Sequence, residues 1–213
     1  MILLLASGNP GKAREVRAAL AGLPVRVLTP GEAGVAIEVE ETGATYAENA
    51  LLKARAACRA SSLPALADDS GVEVEALPGE LGVRSARFGG EGLDDAGRNR
   101  LLLRRLEGVP EERRGARFVC VLAFARPDGR FGLFEGDLPG RLLEAPRGDG
   151  GFGYDPLLHL PPEGCTVAEL DVETKNRISH RGKALAAFRA WLAVELAGPH
   201  AAGTRREAQR RAE

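Results

Sequence analysis

The sequence predicts an α/β fold built on a mixed sheet, and three observations carry that expectation. Short apolar runs alternate with stretches of helical period, as in chains that interleave strands with helices. Pro127-Asp128-Gly129 separates two long apolar-rich runs, the signature of an antiparallel hairpin. A chain of 213 residues with 44% apolar side chains can also bury a sizeable core. One domain over 1–197 is expected, with 198–213 as a separate tail.

Taken in order, residues 2–6 form an apolar run with no basic flank that turns at once into Gly8-Asn9-Pro10-Gly11; it reads as a buried strand and not a secretion signal. A helix follows over about 12–20, then a second strand at 25–28. Thr45-x-x-Glu48 is a capping box, in which hydroxyl and carboxylate satisfy each other's backbone N–H groups, and it opens a helix to about residue 60. Residues 63–67 are a short apolar strand ending at Asp68-Asp69-Ser70-Gly71, and 72–75 alternate apolar and charged like a separate half-exposed strand. An amphipathic helix covers 93–106, with Asp94 or Asp95 near its start. The hairpin takes 116–126 and 130–138, and 146–155 make a long glycine-rich loop. The last helix, 181–196, places Leu185, Phe188, Trp191 and Leu192 on one face as core anchors. The tail carries four Arg and two Glu, hence +2, and reads as a solvated end.

Composition removes several classes of function. Twenty-nine basic and thirty acidic side chains leave a net charge of -1, without the broad basic surface of a general nucleic-acid binder. No apolar run reaches the roughly 18 residues of a membrane span. Cys58, Cys120 and Cys165 are far apart and odd in number, which favours a reduced cytoplasmic protein over a zinc site or disulfide framework. With 25 Arg against 4 Lys, each of Lys12, Lys53, Lys175 and Lys183 stands where a compact ammonium was retained over a guanidinium.

Two glycine patterns mislead. Gly148-Asp149-Gly150-Gly151-Phe152-Gly153 satisfies GxGxxG, but no strand leads into it and Tyr154-Asp155-Pro156 cannot open the required helix. Gly8 to Ala13 is no Walker A loop, since the glycines are too close and Ala13 stands where a metal-binding hydroxyl belongs. Ser7 to Lys12 nevertheless offers a hydroxyl, an amide and an ammonium at a helix N-terminus, where backbone N–H groups favour an anion; an ordinary turn capped by Ser7 or Asn9 explains it equally well.

Asp68 and Asp69 repel each other unless a cation or donor compensates, and Glu38, Glu40 and Glu41 form a second acidic cluster. Oxygen-only ligands suit Mg²⁺ or Mn²⁺ over zinc, although a pair of turn and capping aspartates accounts for Asp68-Asp69 taken alone. Glu73 and Glu75 alternate with valines as a solvated strand face. Ser179 can cap the last helix, which leaves His180 and Arg181 as cations at an already positive helix end, a placement that asks for an external anion or acceptor.

The strings ASGNPGK (6–12), EETGATYAENALLKA (40–54), ADDSG (67–71), GGFGYDP (150–156) and KNRISHRGKAL (175–185) together resemble, in that order, the XTP/dITP diphosphatase family, also called inosine triphosphate pyrophosphatases; the resemblance covers about residues 2–195. It implies an elongated mixed sheet with flanking helices and two lobes around a central cleft, in a protein that is usually a homodimer. The implied reaction cleaves a deaminated purine nucleoside triphosphate (ITP, dITP or XTP) between the α and β phosphates, giving monophosphate and pyrophosphate and cleansing the nucleotide pool. Mg²⁺, with Mn²⁺ as substitute, is the implied cofactor.

By the same resemblance Asp69 is the catalytic carboxylate and a metal ligand, Glu41 the second ligand, and Asp68 the alternative to it. Ser7, Asn9, Lys12, Lys53, Ser70 and Lys175 match positions around the triphosphate, together with Gly8, Pro10 and Gly11 of the first loop. Phe152 would stack on the base beside Gly153 and Tyr154, while Asp155, His180 and Arg181 would read its polar edge. A Maf-like pyrophosphatase would share the reaction type but prefer other bases, and a nucleotide sensor would use the same cleft without turnover. Acidic residues beside a triphosphate disfavour a sensor, because they repel it unless a metal bridges them.

Overall fold

The computed structural model describes residues 1–90 and 92–198, so the tail beyond Gly198 lies outside the described residues. Seven strands form one sheet in the order β2-β1-β3-β4-β5-β6-β7. They are β1 (Ile2–Leu5), β2 (Arg26–Leu28), β3 (Ala65–Val74), β4 (Gly115–Ala125), β5 (Phe131–Leu142), β6 (Leu158–Leu160) and β7 (Cys165–Thr166). β1 pairs in parallel with β2 and β3, and every later pairing is antiparallel, which is the mixed sheet the sequence predicts.

The helices are α1 (Pro10–Ala19), α2 (Pro30–Ala33), α3 (Tyr46–Ser61), α4 (Asp95–Arg105), α5 (Val172–Ile178) and α6 (His180–Ala197). Their starts follow capping chemistry. Asn9 Oδ1 accepts the N–H groups of Gly11 and Lys12, with Pro10 as the first helical residue, so α1 begins earlier than residue 12. Thr45 and Glu48 form the expected capping box on α3, Asp94 caps α4, and Ser179 caps α6.

One expectation is corrected. The two short strands at 63–67 and 72–75 are a single ten-residue strand, β3, and Asp68-Asp69-Ser70-Gly71 lies inside it. The ladder with β4 continues through Asp68↔Leu122, Asp69↔Val121, Ser70↔Cys120 and Gly71↔Val119. Adjacent strand residues point to opposite sheet faces, so the two carboxylates diverge instead of crowding one turn.

Three apolar clusters divide the molecule into two lobes. On one face of the sheet, α1 and α6 pack with Leu66, Leu122 and Phe124, and Phe124, Phe134, Phe188 and Trp191 form an aromatic group there. On the other face, α3 packs Ala50, Ala54 and Ala57 against Ala65, Ala67 and Ala123. The second lobe gathers the far ends of β3, β4 and β5 with α4 and β6, around Val72, Val74, Leu102, Phe118, Leu142 and Leu158. β3, β4 and β5 run through both lobes, so a cleft between them crosses the middle of these strands.

That crossing coincides with a break in the parallel part of the sheet. β1 meets β3 only at Ala65 and Leu66, and the connection reverses direction about β1, with β2 on one side and β3 on the other. Crevices beyond the carboxyl ends of strands at such a reversal are where open α/β sheets bind ligands. Val72 gives its outward N–H to Ser85 Oγ, and strand alternation turns the N–H groups of Ser70 and Asp68 toward the same edge.

Candidate active site

A cavity of about 290 Å³ opens between the lobes. Asn9 and Lys12 line it from the start of α1, Ser70 to Val72 from β3, Phe152 to Asp155 from the glycine-rich loop, Lys175 from α5, and Ser179 to Arg181 from the start of α6. Segments scattered over most of the chain thus converge. Ser85, Asp95, Arg98 and Phe118 line it as well, and none of these four was a site candidate from sequence. They sit on a 3-10 helix (Gly82–Arg87) that no sequence pattern marked, on α4, where the pattern is amphipathic, and on β4, where it is that of a hairpin strand.

The α1/α6 face holds a buried ionic knot. Asp68 Oδ2 meets Lys12 Nζ at 2.8 Å and Arg181 Nη2 at 3.2 Å, while Arg181 Nη1 reaches Glu15 at 2.9 Å and its Nη2 donates to Ser70 Oγ at 3.1 Å. Burial works against the charge of Asp68, but Lys12 and Arg181 outweigh it and hold the carboxyl well below the usual range. The acceptor that Arg181 requires at its helix end is therefore internal: Asp68, Glu15 and Ser70 supply it.

The α3 face holds a different arrangement. Asp69 Oδ1 lies 2.8 Å from Lys53 Nζ, which also meets Glu41 Oε1 at 3.2 Å, and Asn49 Nδ2 donates to Asp69 at 3.4 Å. Burial pushes the Asp69 carboxyl up, and here Lys53 does not fully reverse it. Two neighbouring aspartates are thus driven in opposite directions, Asp68 toward permanent ionisation and Asp69 toward greater basicity. Such a separation is the usual mark of an acid/base assignment.

Glu41 and Asp69 are brought together; Asp68 is on the opposite face, committed to Lys12 and Arg181; Glu38 and Glu40 are exposed. Among the described residues no three His, Cys, Asp or Glu side chains converge as a metal cage. The donor set still fits a hard cation. Glu41 and Asp69 aim carboxylate oxygens at one position now shared by an ammonium, and two carboxylates completed by water and phosphate oxygens are a common magnesium arrangement.

The glycine-rich loop shapes the other end of the cleft. Asp155 takes Lys175 Nζ at 2.6 Å and the Phe152 N–H at 2.9 Å; burial raises its carboxyl, with Lys175 opposing. Lys175 Nζ and the Arg181 guanidinium lie 5.1 and 5.4 Å from the centre of the Phe152 ring, within cation–π range. Gly151 has φ +75°, and a Cβ there would collide with the Asp155 carboxylate and approach Lys175 Nζ to 2.8 Å, so only glycine closes this turn. Gly11 packs beside the Phe152 ring, Gly8 is open, Pro10 starts α1, and Ser7 Oγ accepts the Asn9 N–H at 3.2 Å. Tyr154 is buried, its hydroxyl donating to the Ser85 carbonyl at 2.8 Å. Lys183 stands apart and donates to the Asp137 carbonyl.

His180 packs edge-on against Phe118 at 5.1 Å, with Nδ1 buried and unpartnered. Burial first, and the Arg181 charge second, hold this imidazole neutral by pulling its pKa well below the ordinary value. An unfolded His titrates near 6.5, so below that pH the unfolded chain takes up a proton that the native site resists. The native state therefore loses stability as pH falls through about 6.5. Between pH 7 and 5 the Tm of the wild type should fall more steeply than that of His180→Gln, followed by circular dichroism; parallel slopes would remove His180 as the cause.

Fold and cleft together define the class: a two-lobed α/β protein with lysines and carboxylates flanking an open strand edge and an aromatic, hydrogen-bonding pocket beyond it, suited to a polyanion carrying a flat ring. The chain belongs to the Ham1 family, whose sequence model matches residues 3–191. It is 54% identical over 188 residues to a dITP/XTP pyrophosphatase of Thermus thermophilus, covering 88% of this chain and 90% of that one. It is 48% identical to a dITP/XTP pyrophosphatase of Geobacter sulfurreducens, covering 91% and 98% of the two. The solved structure of a HAM1 protein from Coxiella burnetii superposes with a TM-score of 0.83 at 39% identity, over 91% of this chain and 98% of that one. No helix among the described residues is long and apolar enough to cross a membrane.

Proposed function

We propose that this protein hydrolyses deaminated purine nucleoside triphosphates, dITP, ITP and XTP, to the monophosphate and pyrophosphate, and so clears them from the nucleotide pool. The observation that carries the reading is geometric: Lys12 on Asp68 and Lys53 on Asp69 and Glu41 flank one strand edge, beside a cavity walled by Phe152. It agrees with the relatives at about 50% identity, which are named dITP/XTP pyrophosphatases.

In this reading the base occupies the cavity against Phe152, and the phosphate chain passes over the edge of β3 between Lys12 and Lys53. Lysine ammonium groups and the outward N–H groups of Asp68 and Ser70 neutralise charge that develops on the pyrophosphate leaving group. Asp69 accepts a proton from the attacking water as its oxygen bonds to the α-phosphorus and the bond to the α–β bridging oxygen breaks. Asp68 cannot share that role, because its charge is already held by Lys12 and Arg181. Glu41 and Asp69 would hold Mg²⁺, or Mn²⁺ in its place, which when bound withdraws charge from phosphate oxygens. A homodimer, implied by the family resemblance, and a cytoplasmic setting, favoured by the odd and scattered cysteines, belong to the same proposal.

Base choice follows from pairing. Hypoxanthine and xanthine carry an oxygen at the six position, where adenine carries an amino group; a buried donor facing that position rejects adenine by roughly 10²–10⁵-fold. ITP, XTP, dITP, GTP, ATP and dTTP should be compared at fixed divalent metal and after its removal. Hydrolysis of the first three well above ATP and dTTP, abolished by chelation, is expected. Equal rates on all six, or full activity after exhaustive metal removal, would contradict the reading.

A further inference from the structure

The segment carrying Phe152 is gripped from outside by one helix. Gly153 gives its N–H to Asp95 Oδ2 at 2.7 Å, and its carbonyl accepts from Asn99 Nδ2 at 3.0 Å. Asp95 and Asn99 are four residues apart, hence on one face of α4, and both backbone groups of a single residue are taken by that face. Asn99 is 7% exposed, so its amide is fixed by packing, whereas Asp95 stands at the first turn on the rim of the cavity. The neighbours are secured within the loop or by main chain: Phe152 N–H by Asp155, Tyr154 hydroxyl by the Ser85 carbonyl. The Phe152 ring itself is only half-buried, with Lys175 and Arg181 beside its face, and the backbone that carries it fixes where it stands in the cleft.

We infer that Asp95 and Asn99 are positioning residues for base recognition, holding Gly153 so that Phe152 presents its ring to the nucleobase. The inference rests on the proposed role of Phe152 as the stacking surface. Without the clamp the loop samples other conformations, and binding must order it, which weakens affinity without altering the reacting groups. In the proposed function the phosphate chain is held by Lys12 on α1 and Lys53 on α3, whose partners are Asp68 and Asp69 and not Asp95, Asn99 or Gly153. Nucleotide and phosphate affinities should therefore separate.

The test compares KM and kcat for ITP with the inhibition constant of inorganic tripolyphosphate, a probe that has phosphates and no base, in Asp95→Ala, Asp95→Asn and Phe152→Ala. Loss of one hydrogen bond to a charged group should raise KM for ITP about fivefold or more in Asp95→Ala. Its kcat and the tripolyphosphate constant should stay within about twofold of wild type. Asp95→Asn gives up the charge at the helix start but keeps an oxygen acceptor, so it should recover the wild-type KM. An unchanged KM in Asp95→Ala beside a raised KM in Phe152→Ala would overturn the clamp and leave the stacking role standing. A tripolyphosphate constant that rises in step with KM would overturn it too, since the whole site would then have been disturbed. An unchanged KM in Phe152→Ala would overturn the stacking role and the clamp with it.

Discussion

Asp69→Asn is expected to lower turnover by about 10²-fold or more while the protein stays folded. The amide is the same size and can still receive Lys53 Nζ, so the α3 packing survives; what it lacks is a basic oxygen for the water proton and a full negative charge beside Glu41. The loss should fall on kcat, because the cavity against Phe152 lies on the other side of the strand edge. Steady-state rates on ITP together with a thermal melt check both halves. Near-normal turnover in a well-folded Asp69→Asn would remove Asp69 from the chemistry. Asp68→Asn makes the informative contrast: it leaves the buried Arg181 and the half-buried Lys12 with a neutral partner, so it should harm stability first.

The second large effect is on stability. Arg181 is 3% exposed and joins Asp68, Glu15 and Ser70 under the floor of the cleft. Truncation to Ala leaves the buried Asp68 carboxylate with Lys12 as its remaining cation and Glu15 without its ion pair. Breaking a buried pair in this way costs about 3–5 kcal/mol, and urea unfolding of Arg181→Ala should read a loss of that size. Adding Asp68→Ala to the same chain should recover part of it, since the orphaned charge is gone. A loss under about 1 kcal/mol would mean that the knot is solvated and contributes little. Base selectivity in Arg181 variants is therefore meaningful only as an ITP-to-ATP ratio in protein shown to be folded.

Local signals carried much of this architecture. The apolar run at the N-terminus, the Thr45 capping box, the Pro127-Asp128-Gly129 turn and the stripe of Leu185, Phe188, Trp191 and Leu192 each mark an element that the structure contains. The ADDSG strand was not legible, because carboxylates and glycine in sequence look like a turn. Only long-range partners (β4 for the backbone, Lys12 and Arg181 on one face, Lys53 on the other) make ten continuous strand residues tolerable there. The same partners divide Asp68 from Asp69, although the resemblance offered Asp68 as the alternative to Glu41 for the second metal ligand beside Asp69. Asp95 and Asn99 show the converse limit: as helix residues they give no local sign that their side chains reach Gly153, fifty-four or more positions away.

In the proposed reaction water attacks the α-phosphorus with Asp69 as the base. Hydrolysis of ITP in H2¹⁸O, with the products resolved by ³¹P NMR or mass spectrometry, tests it most directly. Pyrophosphate free of the isotope and one ¹⁸O in every inosine monophosphate are expected, with the same pattern at a far lower rate in Asp69→Asn. Isotope in pyrophosphate, or release of orthophosphate with a nucleoside diphosphate, would place the attack on another phosphorus and contradict it.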